Sequence, residues 1–257
     1  MTEKINELIT VAEPRSAISE AYRTLRTNLD FASRNRAVKT LVITSAGVGE
    51  GKSTTLANLA VVSAQAGRKV ILVDADLHRP RLHRVFNLTN NVGVTSALLA
   101  DHPSVEGLLQ ETQIPGLRVL TAGPLPPNPA ELLGSSRMKD LIAALNAHAD
   151  MVILDTPPVV ALADAAERGN DVAGATVYVT LEPCPMCAGA LVQARVSRLV
   201  FGARDLKLGA AGSRYNLVSD ETTHHRMDIT DGILEGECAA LLREFFEARR
   251  NGDKPSR

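Results

Sequence analysis

The alternation of apolar and polar positions divides the chain into helical and extended segments. In residues 15–30, RSAISEAYRTLRTNLD, the positions Ile18, Ala21, Tyr22, Leu25 and Leu29 fall on one stripe, which predicts an amphipathic helix, with Glu20, Arg23 and Arg26 on another face. KTLVITSAGVGEGKSTTLANLAVVSAQAG then reads as a short apolar strand, a glycine-rich turn and a long helix, and RKVILVDADLHRP as a second strand ending in acids. Residues 96–110 look helical and LRVLTAG, 117–123, extended. The stiff loop PLPPNP, 124–129, precedes a predicted helix from Ala130 to Leu145, with Leu132, Leu133, Leu141, Ile142 and Leu145 facing inward. MVILD, 151–155, is a buried strand stopped by TPP, because proline cannot donate to a sheet ladder. This strand and helix order predicts an α/β fold with a parallel sheet.

A change of character follows. ALADAAERGND reads as helix plus turn, ATVYVT at 175–180 as a strand, CPMCAGALVQAR as a helix with two cysteines in its first turn, and RLVFGA at 198–203 as another strand. From Leu234 to Arg250 the pattern is an amphipathic helix, with Cys238, Leu241, Leu242 and Phe245 mostly inward. The boundary is expected near residue 165, giving domains 1–165 and 166–257. A length of 257 residues suits one large or two modest domains, and 45% apolar with 22% charged residues excludes disordered and fibrous classes. A net charge of -1 provides no global positive field for nucleic acid, so any polynucleotide would be recognised locally. Three cysteines are no disulfide framework and suit a reducing, cytoplasmic compartment. The first 35 residues hold no apolar leader and no long apolar run follows, so no membrane span is expected, although docking to a membrane protein remains open.

Two constellations carry chemistry. The first is Gly47, Val48, Gly49, Glu50, Gly51, Lys52, Ser53, Thr54 between a strand and a helix, where backbone N–H groups and the helix dipole converge on anionic oxygens. Lys52 is expected to reach the β- and γ-phosphates of ATP and Ser53 to hold Mg²⁺; Ala46 stands where the strict pattern has glycine. Asp74, Asp76 and Asp155 close their strands at the same sheet edge, where one or two would hold Mg²⁺ and one would polarise an attacking hydroxyl. The expected catalytic set is Lys52, Asp74, Asp76 and Asp155, with Ser53, Asp74 and Asp155 around the magnesium.

EAYRTLRTNL, SAGVGEGKSTT, ILVDADLHRP, GPLPPNPAELL and VILDTPPV, taken together over residues 15–165, resemble the cytoplasmic catalytic domain of bacterial tyrosine kinases of capsular and exopolysaccharide synthesis, relatives of the MinD/ParA ATPases. The resemblance implies a P-loop NTPase sheet with flanking helices, Lys52 and Ser53 in the nucleotide loop, and Asp74, Asp76 and Asp155 in the Walker-type acid motifs. It also implies a ring-shaped homo-oligomer through Glu20, Arg23 and Arg26, and a membrane polysaccharide regulator as partner, which would hold the chain at the inner membrane. That family carries a C-terminal tyrosine cluster phosphorylated in trans, whereas this chain has only Tyr22, Tyr178 and Tyr215.

The second constellation is Pro183, Cys184, Pro185, Met186, Cys187, where two sulfurs at i and i+3 in a first helical turn can share Zn²⁺. A redox Cys-x-x-Cys is the competing reading. LEPCPMCAGAL is similar to the zinc deaminase signature, and residues 166–250 resemble the C-terminal half of bacterial tRNA adenosine deaminases, a partial cytidine-deaminase-like α/β segment. That resemblance implies a histidine ligand and a carboxylate proton shuttle. The nearest substitutes are His148 and Asp150, with Asp one methylene shorter than Glu. His224 and His225, beside Arg214 and Arg226, form a candidate RNA-touching loop, and Cys238 reads as core. The first half of a deaminase is missing, so the chain reads as a junction of two incomplete domains, in which ATVYVT can replace the next strand of the ATPase sheet. Three functions follow: an Mg²⁺–ATP enzyme of the tyrosine-kinase type, a zinc-dependent tRNA adenosine deaminase with an appended ATPase segment, or a non-catalytic ATP-dependent adaptor.

Overall fold

Val70–Asp74 and Met151–Asp155 are uninterrupted apolar runs ending in an acid, and both are buried at every position, as strands covered on two faces must be. In the computed structural model, which describes residues 5–32, 39–43, 51–100, 105–157 and 176–250, they are the central pair of a five-stranded sheet. Contacts divide the chain into two units, Met1–Pro158 and Val159–Arg257.

The first unit runs α1 (Ile9–Ala12), α2 (Ala17–Ala32), β1 (Thr40–Ile43), α3 (Lys52–Gln65), β2 (Val70–Asp74), α4 (Leu82–Val85), α5 (Val94–Leu99), β3 (Gln110–Glu111), β4 (Leu117–Leu120), α6 (Pro129–Leu133), α7 (Ser136–Ala147) and β5 (Met151–Asp155). The strand order is β1-β5-β2-β4-β3, parallel except for β3 against β4. Ile71, Val73, Leu120, Val152 and Leu154 of the sheet share one core with Leu98 of α5 and Leu141 and Leu145 of α7. Helix α3 is buried continuously from Leu56 to Ala64 and meets α1 and α2 as well as β2 and β5.

Two helical expectations need correction here. The segment 96–110 is not one helix: α5 ends at Leu99, a 3-10 turn occupies Glu106–Leu108, and Gln110–Glu111 is an edge strand. Pro103 lacks the N–H that a helix through this stretch would need. The helix expected from Ala130 to Leu145 is two, α6 and α7, parted at Gly134 and Ser135. Glycine resists helix interiors and serine favours the start of a helix.

The second unit contains β6 (Thr176–Leu181), α8 (Pro185–Gln193), β7 (Arg198–Ala203), β8 (Asp228–Thr230) and α9 (Glu235–Arg250). The three strands form a separate all-parallel sheet in the order β6-β7-β8. ATVYVT therefore does not extend the first sheet. The crossover through α8 pairs it with the strand next in sequence, the favoured arrangement for consecutive elements. Leu191, Val196, Leu199, Phe201, Val218 and Met227 make this unit's core. Cys238 is half-buried instead of fully in the core, and it lies so close to Gly202 of β7 that a Cβ there would come within 2.4 Å of its Sγ. The helix expected in ALADAAERGND, and the side chains of Leu241 and Phe245, lie outside the described residues. Among the described residues no helix is long and apolar enough to cross a membrane.

Candidate functional site

Parallel pairing brings the carboxyl ends of β1, β5 and β2 together, with Ile43 opposite Asp155 and Asp155 opposite Asp74. Helix α3 starts at this edge. Its first residue is Lys52, preceded by Gly51 at φ +83°, a left-handed conformation that glycine adopts without a steric penalty. The Lys52 ammonium forms an ion pair with Asp155 and lies 3.9 Å from Asp76. The Ser53 side chain also lies beside Asp155, where it favours the ionised carboxylate. One oxygen of Asp74 accepts the backbone N–H groups of Arg81 and Leu82, each at 3.0 Å. Asp76 accepts those of His78 at 3.2 Å and Arg79 at 3.1 Å. The two acids thus shape the HRP turn that follows β2.

Burial dominates the electrostatics. It pushes the Asp74 carboxyl up to about 7, against the backbone bond from Leu82 and with the help of the neighbouring charges of Asp155 and Asp76. Burial raises Asp155 as well, opposed by the Lys52 charge. Asp74 Oδ1 and Asp155 Oδ2 are buried with no hydrogen-bond partner among the described residues. Two orphaned carboxylate oxygens on adjacent strands beside a serine hydroxyl are a donor set suited to a hard divalent cation such as Mg²⁺. Of the expected nucleotide-loop residues, Gly51, Lys52, Ser53 and Thr54 are placed here, while Gly47, Gly49 and Glu50 lie outside the described residues.

The remaining candidates are placed elsewhere. On α2, Arg23 pairs with Glu20 at 2.7 Å and donates to the Pro14 carbonyl, whereas Arg26 donates to the Val62 carbonyl of α3 at 3.0 Å. His148 follows α7 with its ring nitrogen 3.4 Å from Glu106, and Asp150 accepts the Lys69 N–H at 2.8 Å. Both belong to the first unit. Cys184 and Cys187 flank the start of α8 in the second. Among the described residues no group of three His, Cys, Asp or Glu side chains is arranged to hold a metal. His225 is bonded to the Val196 carbonyl at 2.7 Å, Arg226 lies 3.8 Å from Glu221, and His224 and Arg214 are exposed.

Two buried polar residues escaped the sequence reading. Asn58, inside the apolar run LANLAVV, accepts two hydrogen bonds from Thr10. Glu182, at the end of β6, accepts the N–H groups of Asp205, Ala211 and Ser213 at 2.9–3.0 Å. Burial would raise the Glu182 carboxyl, but the bonds from Ser213, Asp205 and Ala211 outweigh it and hold the group below its ordinary range. A polar residue inside an apolar run, and an acid between a strand and a proline, were the available signals.

Residues 41–174 match the CobQ/CobB/MinD/ParA nucleotide binding domain family, and residues 134–250 match the MafB19-like deaminase family. The tyrosine-protein kinase YwqD of Bacillus subtilis is 53% identical over 173 residues, covering 67% of this chain and 73% of that protein. The putative tyrosine-protein kinase CapB of Staphylococcus aureus is 37% identical over 178 residues, covering 69% and 78%. Among solved structures, the kinase domain of Escherichia coli tyrosine kinase ETK aligns with a TM-score of 0.61 at 30% identity, over 88% of this chain and 80% of that one. With its lysine and acids gathered at one sheet edge and this similarity over two thirds of its length, the chain belongs to the bacterial tyrosine-protein kinases built on a CobQ/CobB/MinD/ParA nucleotide binding domain.

Proposed function

We propose that the chain binds Mg²⁺–ATP at the carboxyl ends of β1, β5 and β2 and transfers the γ-phosphate to a tyrosine hydroxyl. The observation that carries this reading is the meeting of Lys52 with Asp76 and Asp155, beside two buried carboxylate oxygens that lack a partner among the described residues. Ser53, Asp74 and Asp155 would hold the magnesium, which supplies charge neutralisation along the phosphates. Lys52 exchanges its bond to Asp155 for the β- and γ-phosphate oxygens, and the backbone N–H groups opening α3 face the same anion. Asp76 keeps more solvent contact than Asp155, with side-chain exposures of 13% and 1%, so it is the carboxylate that orients the incoming hydroxyl and takes its proton.

In this reading residues 1–165 carry the phosphoryl chemistry and residues 166–257 are a partial deaminase-like segment. Deamination would need a third zinc ligand and a proton shuttle. His148 and Asp150 are instead engaged within the first unit by Glu106 and the Lys69 N–H, so among the described residues they do not join the two cysteines in such a set. The exposed Glu20–Arg23 pair is the face offered to further copies of the chain, and a cytoplasmic location against a membrane polysaccharide regulator accords with the family.

The test is phosphate transfer from labelled ATP to a glutamate–tyrosine copolymer with Mg²⁺. Lys52→Ala is expected to lose on the order of 100-fold or more in rate, since the charge it brings to the phosphates has no substitute. Equal transfer by wild type and Lys52→Ala would overturn the assignment.

A further inference from the structure

The nucleotide helix α3 is held from the side by the N-terminal arm, residues 5–30, through one polar contact per turn. The Thr55 side chain lies beside the Tyr22 phenol of α2. One turn on, Asn58 Oδ1 accepts the Thr10 hydroxyl at 2.7 Å and the Thr10 N–H at 3.1 Å. One turn further, the Val62 carbonyl accepts Arg26 at 3.0 Å. Positions 55, 58 and 62 are spaced three and four apart and so lie on one helix face. The middle contact is the best buried, with Thr10 0% and Asn58 1% exposed. Its base is braced by Ser19, whose hydroxyl oxygen lies 3.0 Å from the Ile9 carbonyl and 2.8 Å from that of Glu13, the two acceptors sharing its one proton, and so ties α1 to α2.

Asn58 also reaches toward the phosphates. Its Nδ2 donates to the Thr54 carbonyl at 2.9 Å, in the helical turn that contains Lys52 and Ser53. A single buried amide therefore bridges the arm to the residues expected to grip the nucleotide. Packing α1 on α3 alone would be served as well by an apolar pair; a satisfied polar contact adds a fixed register between the two helices. Register matters at this place, because the first turn of α3 carries the N–H groups and the Lys52 and Ser53 side chains expected to face the phosphates.

We propose that Asn58 is a positioning residue for the nucleotide, so that docking of the N-terminal arm through Thr10 sets the affinity for Mg²⁺–ATP. The inference rests on the nucleotide-site reading above. It makes the arm a control point: anything that draws Thr10 away from Asn58 loosens the first turn of α3 and weakens nucleotide binding.

The test uses the full chain as wild type, Thr10→Val, Thr10→Ser and Asn58→Ala. Binding of a fluorescent ADP analogue with Mg²⁺, copolymer phosphorylation, and thermal unfolding without nucleotide are measured on each. Thr10→Val keeps size and shape and removes only the hydroxyl, so it decides the matter even if Asn58→Ala does not fold. Its analogue Kd and ATP KM are expected to rise about ten-fold, in line with the loss of one buried hydrogen bond, while kcat changes less than about two-fold. Thr10→Ser is expected to restore both constants. If the variants unfold at lower temperature but bind the analogue as wild type does, the contact is structural only and the proposal is wrong. Failure of wild type itself to bind the analogue would instead remove the nucleotide-site reading, and this inference with it.

Discussion

Asp74 concentrates the conflict at the nucleotide site: it is fully buried, next to two other acids, and holds the Arg81 and Leu82 N–H groups. Its proton is retained up to about pH 7 in the native state but is lost near 3.8 in the unfolded chain. Between those values the native state binds more protons, so its contribution to stability is present at low pH and disappears as pH rises through about 7. Asp74→Asn keeps an acceptor for both N–H groups and removes the charge. Without nucleotide it is expected to melt above wild type at pH 8, with the gap closing toward pH 4, as followed by circular dichroism; a lower melting temperature at pH 8 would contradict this account. At Gly51 the constraint is conformational, since a Cβ there would meet no atom of the described residues within 4 Å. Gly51→Ala is expected to cost about 1 kcal/mol in chemical denaturation through the left-handed backbone alone.

In the second unit, the segment between β7 and β8 is shaped by Glu182 at the end of β6, which gathers three backbone N–H groups from residues 205–213. The segment packs so tightly on this carboxylate that a Cβ on Gly209 would lie 2.3 Å from Glu182 Oε2. Glu182→Ala leaves those donors buried without an acceptor and is expected to destabilise the unit by about 3 kcal/mol in urea unfolding. The native carboxyl is held low, so its stabilisation is present above the ordinary glutamate range and is lost as pH falls through the lowered native value. The acid limb of unfolding is therefore expected to flatten in Glu182→Gln, which no longer titrates. An unchanged limb would assign acid unfolding to other carboxylates.

The molecule joins a nucleotide-binding unit to a unit with its own sheet and core, and its chemistry is expected to sit in the first. Cys184 and Cys187 supply two thiolates where a stable zinc site needs four ligands, or three with water. The purified chain is expected to carry well below one zinc per molecule after dialysis against a mild chelator. Retention of one zinc per chain, measured by elemental analysis, would mean that residues outside those described complete a ligand set. The strand and helix order of the first unit, and Asp74 and Asp155 at the ends of their strands, were legible in the sequence because each rests on local order: apolar runs of strand length, and an acid where a run ends. The pairing of ATVYVT with β7, the Lys52–Asp155 bond, the three donors on Glu182 and the contacts of α3 with the arm were not. Each joins groups distant in the chain, Lys52 and Asp155 by 103 positions and Thr10 and Asn58 by 48, and a sequence pattern carries no distance between such groups. Only the packing of strand against strand and helix against helix decided which of the available polar groups would meet.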